Sequence, residues 1–255
     1  MLDLGLGGKV AIITGGSEGL GRAAARRLAA EGAHVAICAR RPDVLERAAE
    51  GIRAAGGQVL ARPVDVTRAD QIEAFVDEVA RQWGGVDILV NNAGTSAAAS
   101  FESVDDAAWL HDLELKFFAA VRLCRLCIPL MKQRGGGRII NVTNLGAKTP
   151  AARGLPTSVS RAAGINLTKS LANEYATHQI LVNTICIGLV KSGQWERRAK
   201  GDLEAFYKDV GKRVPIGRVG EAEEFGDLVA FLVSERAAFI TGTAINFDGG
   251  MAAVV

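Results

Sequence analysis

The chain has 255 residues, 49% of them hydrophobic, and its 30 basic and 28 acidic side chains leave a formal charge of +2. So even a balance excludes a polyanion-binding protein, and aromatic residues at 5% leave little surface on which bases could stack. No run approaches the roughly eighteen consecutive apolar residues of a membrane-spanning helix. The first residues, MLDLGLGGKVAIITGG, lack the basic start and long apolar core of a signal peptide. Four cysteines are too few for a disulfide framework at this length, and the CxxC of Cys124 and Cys127 lies in a helical pattern with no second ligand pair nearby. A cytoplasmic chain without a metal is expected.

Taken in order, short apolar runs alternate with longer helical patterns. Strands are predicted at 10–14 (VAIIT), 34–38, 59–61, 88–91, 139–143, 181–187 and 244–247. Helices are predicted at 20–31, 42–55, 68–83, about 104–132, 157–176 and 221–232. Fully apolar strands, each followed by a helix, form a parallel sheet covered on both faces. Right-handed crossovers then give a single α/β domain over residues 1–255, a doubly wound parallel seven-stranded sheet of the Rossmann type. One charged insertion, at about 189–219, breaks the alternation; it carries Trp195, Phe206 and Tyr207 and reads as a lid.

The first strand runs directly into Gly15-Gly16-Ser17-Glu18-Gly19-Leu20-Gly21 and then a helix. Glycines here allow a tight turn and close approach of backbone to a pyrophosphate, and the helix start offers unpaired N–H groups and a positive dipole end. These residues are the first candidates for cofactor binding.

TGGSEGLG, with Asp65-Val66 after the third strand and Asn91-Asn92-Ala93-Gly94 after the fourth, resembles the short-chain dehydrogenase/reductase family. INV at 140–142, SLANEYA at 170–176, VNTI at 182–185 and ITGTAINFDGG at 240–250 extend the resemblance over almost the whole chain. It implies a nicotinamide-dependent oxidoreductase and a homotetramer. It also implies adenine contacts from Asp65 and Val66, and a cofactor cleft lined by Asn91, Ala93 and Gly94. Ile187, Gly188 and Val190 would frame the nicotinamide pocket. Arg40 and Arg41 follow the second strand where the family reads the adenosine ribose. A guanidinium there pairs with a 2′-phosphate, so NADP(H) is favoured over NAD(H), although Glu18 places an acid where NADP-preferring members often carry a base.

The chain departs from the family at its chemistry. The helix that should begin around Tyr-x-x-x-Lys reads Thr157-Ser158-Val159-Ser160-Arg161. Thr157 then stands at the Tyr position, Arg161 at the Lys position, where it would also contact cofactor, and Asn144 at the Ser position. Aligned on the phrase Leu113-Glu114-Leu115-Lys116, Glu114 takes the place of the family's Asn. A threonine hydroxyl is a far weaker acid than a phenol, and Arg161 keeps its proton at ordinary pH. Glu114, with His111 one turn before it, and Tyr207 in the lid are the remaining candidates for proton transfer. Weak or absent reduction of ordinary ketones is therefore expected. Three functions fit: an oxidoreductase of a partly hydrophobic small carbonyl or alcohol with a rearranged site, a cofactor-binding sensor or partner subunit that has lost catalysis, and a non-redox lyase or hydrolase on the same fold.

Overall fold

A computed structural model describes residues 3–196 and 202–254. Seven parallel strands form one sheet in the order β3-β2-β1-β4-β5-β6-β7. They are β1 (Val10–Thr14), β2 (His34–Ala39), β3 (Val59–Pro63), β4 (Ile88–Asn91), β5 (Gly137–Asn144), β6 (Ile180–Ile187) and β7 (Ala244–Phe247). Every strand of the sequence reading is present. The strand order reverses between β1 and β4, and the resulting crevice opens at the strands' carboxyl ends, where a doubly wound sheet binds its ligand.

On one face α1 (Gly19–Ala30), α2 (Pro42–Ala54) and α9 (Ala222–Val233) bury Leu28, Leu45, Ile52, Phe225 and Val229 against Ile13, Ile37 and Val90. On the other, α3 (Ala69–Trp83) and α5 (Ala119–Gln133) bury Phe75, Val79, Leu123 and Met131 against Ile12, Leu89 and Ile139. Alternate residues of one strand thus feed opposite cores, which explains why these strands are apolar throughout. All four cysteines are free and buried, as small core residues.

The helix expected at about 104–132 is composite. It consists of α4 (Asp106–Leu113), one wide π turn (Glu114–Phe118) and then α5. α6 (Thr157–Tyr175) packs on β5 and β6 and starts beside the carboxyl end of β5. Within the insertion, α7 (Gly193–Glu196) and α8 (Leu203–Gly211) are helical, whereas residues 197–201 of the expected lid lie outside the described residues. Among the described residues, no helix is long and apolar enough to cross a membrane and no cluster of side chains could hold a metal ion.

Candidate active site

The phosphate loop is built from backbone. Gly15 and Gly16 donate their N–H groups to the Cys38 carbonyl at 2.8 and 3.2 Å, which ties the loop to the end of β2. Gly15 has φ of +66° and Gly19 of +50°, conformations that side chains resist. Asn92 holds the loop from the other side, its Nδ2 donating to the Thr14 carbonyl at 2.9 Å and to the Gly15 carbonyl at 3.3 Å. No side chain caps the start of α1 and its first turn carries no acid, so its N–H groups and dipole face the crevice. This cradle fits a dinucleotide pyrophosphate. Ser192, at the start of the insertion, closes over it: a methyl group on Gly19 would lie 3.3 Å from Ser192 Cβ.

Beyond the loop, the expected cofactor residues divide. Arg40 is exposed at the rim, while Arg41 pairs with Glu18, whose acid is thereby neutralised. Asp65 is fixed by Thr67, from N–H at 3.0 Å and Oγ1 at 2.8 Å, and Val66 is buried beneath it. Asn91 turns away from the crevice into the core, donating from Nδ2 to Asn141 Oδ1 at 2.8 Å, so it braces β4 against β5. Gly188 packs against Asp248 where any side chain would collide, and Ile187 ends β6. Val190 bridges to Gly220, which fastens the root of the insertion.

The four substituted positions do not all meet. Thr157 Oγ1 accepts a hydrogen bond from the Ala97 N–H at 2.9 Å and a second from Lys116 Nζ at 2.9 Å. Lys116, fully enclosed, also pairs with Asp112, and the other oxygen of that carboxylate accepts from Ser160 Oγ at 2.6 Å. Arg161 donates from Nη1 to the Val142 carbonyl at 2.6 Å, and its buried Nε has no partner. Both cations rest on Gly94: a methyl group there would come within 2.5 Å of Arg161 Nη2 and 3.6 Å of Lys116 Cγ. Asn144 ends β5 beside the start of α6, and its buried Oδ1 has no partner either. Unsatisfied polar atoms in such a place are groups that a ligand would complete.

Glu114 lies outside this group. Its carboxylate is held by Arg122 at 2.6 and 3.2 Å, and His111 is exposed. The reason is helical phase. Residues 112 and 116 lie one turn apart on the face towards α6, and residue 114 points the other way. Lys116 therefore stands where Glu114 was expected, and its spacing of four from Asp112 was the one mark of it in the sequence, a mark shared with ordinary surface pairs. Tyr207 packs edge-on against Phe206 and near Lys191 inside the insertion, and its buried hydroxyl has no partner. Tyr175, at the end of α6, lies under Lys132 of α5 and packs against the core there.

Electrostatics single out Lys116. Burial, reinforced by the Arg161 charge and opposed by Asp112, pulls its ammonium down to about 8. Burial also lowers Arg161, to about 10, with Asp112 opposing.

A family model described as "Enoyl-(Acyl carrier protein) reductase" matches residues 15–252. Human "Dehydrogenase/reductase SDR family member 4" is 34% identical over 246 residues, 96% of this chain and 88% of that protein. The chain belongs to the short-chain dehydrogenase/reductase family. Among solved members, L-sorbose reductase from Gluconobacter frateurii, complexed with NADPH and L-sorbose, shares 38% identity and superposes with a TM-score of 0.96 over the whole of both chains. An NADPH-bound short chain oxidoreductase from Pseudomonas aeruginosa PAO1, described as containing an atypical catalytic center, is 37% identical. Its TM-score is 0.92, with 97% of this chain and 98% of that one covered. In this family member Thr157, Arg161, Asn144 and Lys116 lie at the positions around the crevice described above.

Proposed function

We propose that the protein is an NADP(H)-dependent oxidoreductase that interconverts a small carbonyl compound and its alcohol. The observation that carries this reading is the pairing of an intact phosphate cradle with polar side chains left unsatisfied at the carboxyl ends of β4 and β5. Bound NADPH would supply the hydride for the carbonyl carbon. Gly15, Gly19 and the start of α1 would hold its pyrophosphate, and Arg40 its 2′-phosphate, with Arg41 shared between that phosphate and Glu18. Arg161 would reach the nicotinamide ribose with Nε and Nη2, and Asn144 would orient the substrate oxygen. The NADPH complexes of the two solved relatives support the cofactor choice.

The test has two stages. Fluorescence titration is expected to give tighter binding of NADPH than of NADH. Absorbance at 340 nm is then followed with a panel of ketones that includes L-sorbose, diacetyl, ethyl acetoacetate and cyclohexanone. Turnover of any member supports the reading. Binding of NADPH with no turnover would instead support a sensor or partner subunit, a reading favoured by the loss of the family's phenol. Consumption of a substrate without a net redox change would support a lyase or hydrolase.

Assembly belongs to the same proposal. Leu110, Phe118 and Val159 are exposed by 63%, 39% and 45% on α4, the π turn and α6, and a homotetramer would cover them. A cytoplasmic setting would keep the four buried thiols reduced.

A further inference from the structure

We propose that Thr157 donates the proton that the substrate oxygen takes up during reduction, and that Lys116, clamped by Asp112, is the positioning residue that makes it a donor and replaces its proton. This rests on the oxidoreductase reading above.

The first argument is an accounting of hydrogen bonds. A hydroxyl has one hydrogen and two acceptor sites. Both acceptor sites of Thr157 are filled, by the Ala97 N–H and by Lys116 Nζ. Its hydrogen therefore has to be given to something else, and no acceptor for it is found among the described residues. An acceptor arriving in the crevice, such as a carbonyl oxygen, completes the set.

The second argument concerns acidity. Alone, a threonine hydroxyl is too weak an acid to serve a forming alkoxide. Here the proton leaves Oγ1 as another arrives from Nζ, so the driving force is that of the ammonium. Lys116 is the more ready to yield it because burial and the Arg161 charge lower it. Bonds balance: the oxygen–hydrogen bond of Thr157 breaks as the product's alcohol O–H forms, and an N–H of Lys116 breaks as Thr157 is restored. Lys116 is left as the neutral amine and regains its proton through the Thr157 hydroxyl, from water that enters the crevice once the product has left. The electrons are those of the hydride that NADPH supplies. Lys116 is completely enclosed and reaches the substrate only through Thr157.

The third argument is the clamp. Asp112 is buried, and Ser160 occupies its second oxygen at 2.6 Å, so the carboxylate is fixed by α6, the same helix that carries Thr157. Charged and titratable groups facing Lys116 are Asp112 from its own helix and Arg161 from α6.

The test is the pH dependence of single-turnover NADPH oxidation at 340 nm with whichever panel ketone is reduced. Reduction by the unmodified protein is expected to be constant below about pH 8 and to fall tenfold per unit above it. Lys116→Met is expected to lose about 10²-fold at pH 7, within the general range for acid catalysis, in kcat rather than KM, and to lose the break near pH 8. Lys116→Arg keeps the charge and the hydrogen bond but cannot release a proton, so it is expected to stay slow; a structural role would be rescued. Asp112→Asn removes the group that holds the ammonium up, so the break is expected to move below pH 8. Thr157→Val is expected to be as slow as Lys116→Met. As a readout independent of turnover, lysine labelled at Cε in the NADPH complex is expected to show one resonance titrating near pH 8, absent from Lys116→Met. An unshifted break in Asp112→Asn, rescue by Lys116→Arg, or a Lys116 resonance that titrates with the surface lysines would overturn the inference and leave the oxidoreductase reading standing. An unmodified protein that binds NADPH but reduces none of the panel would overturn both.

Discussion

A methyl group on Gly21 would sit 2.3 Å from the Gly15 carbonyl oxygen, and neither backbone can yield without opening the phosphate loop. Gly21→Ala is therefore expected to cost roughly 1–3 kcal/mol, as overpacking does, read from chemical denaturation, and to weaken NADPH binding. Gly94 differs, because the obstructing atom there is the tip of a flexible side chain. Gly94→Ala is expected to fold normally and to displace Arg161 instead. At the far end of the crevice, Arg40 is the guanidinium not already engaged by Glu18. A charge-assisted hydrogen bond is worth about 1.5–3 kcal/mol, so Arg40→Asp is expected to weaken NADPH by about tenfold or more in a fluorescence titration and to leave NADH no worse. Equal losses for both cofactors would remove Arg40 from the 2′-phosphate.

The strands were legible because burial on two faces demands unbroken apolar runs, and β1, β4 and β6 have little else. The cradle was legible because its glycines follow a strand directly. The composite α4–α5 helix was not. Periodicity shows only that an apolar stripe continues, and a single π turn shifts the phase without interrupting it. Glu114, placed by aligning the phrase at 113–116 with the family, was given the position that Lys116 occupies. Burial was equally hidden: nothing in the sequence distinguishes the enclosed Asp112–Lys116 pair from the many solvated pairs spaced four apart. Where α9 begins, Arg218 and the Glu221 N–H hold the Glu224 carboxyl down to about 2, against the desolvation that opposes them. Because this lies below the ordinary 4.5, its contribution is whole above about pH 4.5 and drains away as pH falls towards 2. Glu224→Gln is expected to flatten the acid limb of stability, modestly, since the pair is partly exposed. An unchanged acid limb in urea denaturation would refute this.

For the whole molecule, the crevice between β1 and β4 gathers everything that the chemistry needs on the carboxyl side of one sheet. Leu110, Phe118 and Val159 flank the helices that hold Asp112, Lys116 and Thr157, so association through them would brace the same elements. Light scattering is expected to show a tetramer at micromolar concentration, and Phe118→Glu to reduce the mass. A monomer for the unmodified chain would count against that surface.

The four enclosed cysteines turn the protein into its own clock. A thiol reagent attacks the thiolate, yet burial pushes Cys38 and Cys124 up to about 12 and raises Cys127 and Cys186 as well. Each of them lies under the sheet or its helices, so labelling has to wait until the chain opens. In native buffer the rate at which an excess of reagent consumes thiols is then the rate at which the domain comes apart. A ligand that binds only the folded chain slows that rate by mass action. Compounds could thus be screened as cofactor or substrate by colour alone, before any reaction is known.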